Sequence, residues 1–403
     1  MPPPHDPIAA VTHPDPYPFY AELAAKPLHR DEGLGLWVAA GAGAVEAVLR
    51  SDLCRVRPPA EPIPRALLGS PAAEVFRHLV RMNDGGGHCP WKRAVSAALA
   101  SIDEPRAAAA SRDRARRLLD GVAPEDLPGA TVDFALRLPV EAVGSLLGIP
   151  RGELAATALL AADFAGCLAP AASPEAIERG KAAAGALLEW MRGLLGTCRK
   201  TGGSEGSEAS DALLATLATE AARVGRDDPE AVAANAVGFL FQAYEATAAL
   251  IANTLRALAT RPEVRAAVAA GPGLLREAVQ EVLRHDPPVQ NTRRFVARSG
   301  VVAGQEMEEG DGILVVLAAA QRDPSANPDP DRFDLERKDR RLFGFGSGAH
   351  ACPGEALAAT IAEAGVAALL QAGLDIGALA GPVAYRPSVN VRMPLLGMRE
   401  PRP

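Results

Sequence analysis

The chain has 403 residues with 42 Lys and Arg against 49 Asp and Glu, a formal charge of -7, and 48% hydrophobic but only 4% aromatic residues. Acidic charge without a basic stripe, and so few rings, argue against a nucleic-acid partner. No apolar run approaches the ~20 residues of a membrane span, and Met1-Pro2-Pro3-Pro4-His5-Asp6 lacks a signal's charged-then-apolar order, so a soluble cytoplasmic protein is expected.

In chain order, Asp15-Pro16-Tyr17-Pro18 precedes a helical pattern through Ala25, and 34–39 reads as a strand. A helix is expected at 42–50, then a proline-rich loop at 57–65. Gly85-Gly86-Gly87 breaks the chain before a helix at 91–99. The Gly-, Ser- and Glu-rich stretch 200–210 reads as a flexible surface loop. The longest helical pattern runs over 229–260, with Asp228 as N-cap and Pro229 at the first helical position. It is mostly apolar and should cross the interior. A helix at 274–284 is stopped by His285-Asp286-Pro287-Pro288, a strand candidate lies at 313–317, and 321–333 should be an irregular meander. A last helix covers 355–370. The fold class is mainly α with small β-sheets. The five cysteines (Cys54, Cys89, Cys167, Cys198, Cys352) lack paired or zinc-type spacing, so neither a disulfide framework nor a zinc site is expected.

The most specific signal is Phe345-Gly346-Ser347-Gly348-Ala349-His350-Ala351-Cys352-Pro353-Gly354. Glycines there permit positive φ and close approach of a flat partner, and a thiolate near a helix N-terminus makes a good iron ligand. A buried inert cysteine would not account for the surrounding positions. The decapeptide resembles the heme-binding loop of the cytochrome P450 superfamily, Phe-Gly-x-Gly-x-His-x-Cys-x-Gly, at all six specified positions.

That resemblance, to the soluble bacterial type, spans essentially the whole chain. It implies the cytochrome P450 fold as a single domain over 1–403, with heme b (iron protoporphyrin IX) as cofactor and Cys352 as its metal ligand. Pro353 brings no N–H to the sulfur, which should leave the thiolate more electron-donating. Cations for the propionates are expected from His350, Arg294, His88 and Lys92, the last where the family commonly has Arg, with Arg93 as a substitute. Phe345, Gly346 and Ala243 are expected against the heme. Glu281 and Arg284 share a helix face, and the resemblance joins them to Arg332 in a buried structural network.

The long helix departs from the family's Ala/Gly-Gly-x-Asp/Glu-Thr-Thr. It reads Gln242-Ala243-Tyr244-Glu245-Ala246-Thr247, so the acid aligns at Glu245 but the first threonine is Ala246. A methyl group neither donates nor accepts a hydrogen bond. Thr247, turned by about 100° from Ala246, is expected to face elsewhere. Glu245, Ala246 and Gln242 are the expected catalytic positions. A substrate group, or a water held by Glu245 or Gln242, would then supply the missing hydroxyl. Substrate contacts are expected from Val289, Gln290, Asn291 and Thr292, from 58–80 and from 164–171.

The function so implied is an oxidase or monooxygenase acting on a small organic molecule in secondary-metabolite tailoring. Electrons would come from a ferredoxin and ferredoxin reductase or a similar donor, since no dinucleotide motif is present; a monomer is expected. Two alternatives stand beside it. One is a peroxide-driven or non-hydroxylating enzyme (coupling, ring closure or nitrogen chemistry), and the other a non-catalytic heme- or ligand-binding protein.

Overall fold

A computed structural model describes residues 2–169, 171–200, 212–271 and 273–397. The side chain of Cys198 and residues 201–210 of the expected flexible stretch lie outside the described residues. The helices are α1 (Tyr17–Ala24), α2 (Ala42–Arg50), α3 (Pro71–His78), α4 (His88–Ala100), α5 (Glu104–Leu118), α6 (Leu127–Leu147), α7 (Leu154–Gly166), α8 (Pro174–Lys200), α9 (Leu213–Arg223), α10 (Pro229–Thr260), α11 (Pro262–Ala270), α12 (Leu274–His285), α13 (Leu317–Gln321) and α14 (Glu355–Gln371). The strands are β1 (Leu28–Asp31), β2 (Leu36–Ala39), β3 (Cys54–Arg55), β4 (Thr292–Val296), β5 (Gly300–Val302), β6 (Gln305–Met307) and β7 (Gly312–Val315). The mainly helical expectation holds.

The long helix forms where the pattern places it. The Asp228 carboxylate accepts from the N–H groups of Glu230 and Ala231 at 3.0 and 3.3 Å, and Pro229 loses no needed donor. Burial is continuous from Ala231 to Gly238, so α10 is covered on all sides in that stretch. It packs on α6, α8, α3 and α14. At Gly238 a Cβ would come within 2.3 Å of Leu79 Cδ1, so glycine lets the segment after α3 sit against α10 without displacing that side chain.

A five-stranded sheet in the order β1-β2-β7-β4-β3 lies beside the helices. β2 and β7 pair in parallel (Trp37 opposite Ile313), and the other neighbours are antiparallel. Strand β4 was not foreseen, because Thr292-Arg293-Arg294-Phe295-Val296 carries two adjacent arginines where half-burial predicts alternation. The β5–β6 hairpin was also missed. It turns through Ala303 and Gly304, both at positive φ (49° and 84°), a pair without the usual Asn-Gly signature.

Candidate functional site

Cys352 lies in a loop shaped by its own backbone. Gly346 N–H donates to Phe343 O at 2.8 Å and Cys352 N–H to Phe345 O at 2.7 Å. Gly346 has φ of +73°, a conformation other residues rarely adopt. Gly354 N–H points at Cys352 Sγ from 3.4 Å, just before α14 begins, while Pro353 contributes no donor. Burial pushes the thiol pKa up; Gly354 N–H, Lys92 and Arg81 pull it the other way. A metal ion at a coordinating thiol removes the proton outright.

This loop forms one wall of a cavity of about 460 Å³, and α10 forms another. The cavity-lining residues of α10 are Asn235, Phe239, Gln242, Ala243, Ala246, Thr247 and Leu250. At about 100° per residue they fall in an arc of about 140°, and Glu245 falls about 60° outside it. Glu245 accordingly pairs with Arg386 at 2.9 Å and does not line the cavity. The expectation for Thr247 is corrected in the opposite sense. It lines the cavity beside Ala246 because the cavity embraces more than one row of the helix. Gln242 lines it too, its Nε2 donating to Gly238 O at 2.8 Å.

Cations ring the same space. His88, Lys92, Arg294 and His350 all line it, and Arg57, Arg81 and Arg293 join them. Lys92 Nζ donates to Ala351 O in the cysteine loop. His350 Nε2 donates to Asp84 Oδ1 at 2.9 Å, and its ring stands 4.4 Å from that of His88. Burial works against ionising Asp84, yet His350 and the Val56 N–H hold its carboxyl below the usual range. Burial, then His350 and Lys92, push His88 down to about 4, so it is neutral at pH 7. Burial also lowers the pKa values of Lys92, Arg81 and Arg294. Arg293 stands exposed next to Arg294 on β4.

Several expected contacts are redistributed. Val289 and Thr292 line the cavity, but Gln290 and Asn291 do not. Both are buried, where Gln290 Nε2 donates to Pro287 O at 2.6 Å and Asn291 Nδ2 to Val389 O at 2.9 Å. Of 58–80 only Val80 lines the cavity, preceded by Val56 and Arg57 and followed by Arg81 and Met82. Among the described residues none of 164–171 does; Phe164 is buried against Phe241, with ring centroids 4.9 Å apart.

The Glu281–Arg284 pair is fully buried at 2.6 Å, but its third member is not the Arg332 side chain. That side chain is 70% exposed and lies 3.5 Å from Asp334. Arg332 offers only its carbonyl, to Arg284 Nη2 at 2.9 Å. Arg340 and Arg337 approach Glu281 instead, at 3.0 and 3.5 Å. The tight turn after Pro330 directs Arg332 to solvent and brings the following segment back over Glu281. Sequence offered no way to choose among these arginines.

The donor set fits a heme: one soft thiolate on one wall, small side chains (Ala243, Ala246) on another, and around them Lys92 and Arg294, cations without a carboxylate partner among the described residues. Among the described residues the cysteines are free, no other cluster suits a metal ion, and no helix is long and apolar enough to cross a membrane. A family model described as Cytochrome P450 matches residues 273–372, which include α12, the meander and the cysteine loop. Cytochrome P450 monooxygenase PikC of Streptomyces venezuelae is 30% identical over 398 residues, covering 94% of this chain and 89% of the relative. The 6-deoxyerythronolide B hydroxylase of Saccharopolyspora erythraea is 29% identical, covering 94% of both. The crystal structure of CalO2 superposes with a TM-score of 0.82 at 27% identity, covering 97% of each chain. With the thiolate loop, the opposing helix and a relative alike over nearly its whole length, the chain belongs to the cytochrome P450 family.

Proposed function

We propose that the protein is a monooxygenase that oxidises a small organic molecule in secondary-metabolite tailoring, supplied with electrons by a ferredoxin and its reductase or a similar donor. The observation that carries this reading is that Cys352 and, from α10, Ala243 and Ala246 line one cavity together with Lys92, Arg294, His88 and His350. The names of the monooxygenase and hydroxylase relatives support it. Heme b bound there supplies oxygen activation at iron, with thiolate electron density favouring O–O cleavage.

The chain's own residues do the rest. Cys352 would hold the iron, its sulfur steadied by Gly354 N–H. Lys92, Arg294, His88 and His350 would hold the propionates, with Asp84 fixing the His350 ring. Ala243 and Ala246 leave space on the α10 wall and offer no side-chain donor. The hydroxyl on that wall is Thr247 Oγ1, which would hold a water or pass a proton. Glu245, tied to Arg386, would act only after leaving that partner. Val289, Thr292 and Phe239 would orient the substrate's apolar surface and exclude water.

The carbon monoxide difference spectrum of the reduced protein tests the reading. A thiolate-type Soret band that disappears in Cys352→Ala supports it; absence of the band from folded wild type overturns it. Ala246 favours a second reading, peroxide-driven or non-hydroxylating chemistry with other proton requirements. Faster turnover with hydrogen peroxide than with a surrogate ferredoxin chain would select that one.

A further inference from the structure

We propose that the substrate is an organic carboxylate, and that Arg81, supported by Arg57, anchors its charged end. This deepens the heme-thiolate reading and rests on it.

Five permanent cations line the cavity (Arg57, Arg81, Lys92, Arg293, Arg294), and among the described residues no Asp or Glu does. None of the five has a carboxylate within salt-bridge distance among the described residues. The nearby acids are committed elsewhere. Asp84 takes His350 and the Val56 N–H. Glu61 lies 3.5 Å from Arg65 and gives Arg57 only its carbonyl, at 3.0 Å. In a bound heme the ferric porphyrin and the thiolate cancel, which leaves two propionate charges. Arg293 is exposed to solvent, and two propionates answer two of the other four, so two positive charges remain without a carboxylate.

Arg81 lies close enough to Cys352 and Arg294 to act on both electrostatically, and differs from the propionate set in where its backbone is held. Lys92 reaches the cysteine loop, and His350 belongs to it. Arg81 instead leaves the chain at the α10 wall. Asn235 of α10 accepts from Val80 N–H at 3.0 Å and donates to His78 O at 2.9 Å, and Leu79 fills the space over Gly238. The Arg81 side chain lines the cavity and makes no hydrogen bond among the described residues. A guanidinium so held offers two parallel donors to a carboxylate. Phe239, Leu250 and Val289 supply apolar surface for the rest of such a molecule.

The test uses the holoprotein and ω-(imidazol-1-yl)alkanoates of six to twelve carbons, each against the 1-alkylimidazole of equal length. The imidazole secures binding at iron, and the Soret shift reports affinity. At one or more lengths the acid is expected to bind at least tenfold more tightly than its neutral partner. Arg81→Leu should remove that preference with heme content unchanged by pyridine hemochrome assay. Arg81→Lys should retain part of it, and Arg57→Leu should reduce it. Equal or weaker binding of the acid at every length overturns the proposal. So does an Arg81→Leu protein that loses heme while keeping the preference, which would assign Arg81 to a propionate. If plain imidazole gives no Soret shift, the heme-thiolate reading itself fails, and this proposal with it.

Discussion

Ala246 and Thr247 show how much one position on a helix decides. Both line the cavity, but only Thr247 carries a hydroxyl. Thr247→Val, which keeps the shape and removes the donor, should lower product formation by about 10²-fold, the lower end of what positioned proton transfer contributes. Ala246→Thr should raise the fraction of electrons that reach product, measured as product formed per NADH consumed. On the opposite wall, Cys352 Sγ has the Gly354 N–H at 3.4 Å, and Pro353 offers none. Pro353→Ala adds a backbone N–H near the sulfur and should raise the heme reduction potential in spectroelectrochemistry; a fall or no change would refute this account.

At the scale of elements, the charge network behind α12 separates residues that look equivalent in sequence. Glu281 is 0% exposed and accepts from Arg284, Arg340 and the Asp334 N–H. Glu281→Ala leaves Arg284 buried without its carboxylate and should cost about 3–5 kcal/mol in urea unfolding. Arg332→Ala should change stability by no more than about 0.5 kcal/mol, because that side chain is exposed and contributes through its carbonyl. Helix α10 was legible from Asp228-Pro229 and its mostly apolar pattern, to the residue at both ends. Helix α3 (Pro71–His78) was not, being eight residues among proline-rich loops, although Ser70 caps it by accepting from Ala73 N–H. Short elements depend on tertiary contacts more than on propensity.

For the whole molecule, acid sensitivity follows from how the C-terminal end of α12 is buried. His285 donates from Nε2 to Asp331 O at 3.0 Å, and its Nδ1 faces Arg322 Nη2 at 3.1 Å, so only the neutral ring suits the site. Burial first, then Arg322 and Arg261, push its pKa down to about 2. The unfolded chain, with His near 6.5, binds the proton that the folded chain refuses. Stability should therefore fall as pH drops from about 6.5 toward 2, by at most about 1.4 kcal/mol per pH unit from this group. Denaturant midpoints between pH 7 and pH 4 check this, and His285→Gln should flatten the slope even if it lowers stability at pH 7.

The cysteine loop and the helical frame were legible in contiguous residues whose spacing has a local physical meaning, and the loop's family resemblance carried with it the cofactor class and the departure at Ala246. Tertiary structure alone decided which arginines surround Glu281, that Glu245 turns to Arg386 while Thr247 faces the cavity, and that Arg57 and Arg81 line it. Those outcomes depend on helix rotation and on where a turn sends the chain. Such properties arise only when distant segments compete for the same buried volume and the same few counter-charges.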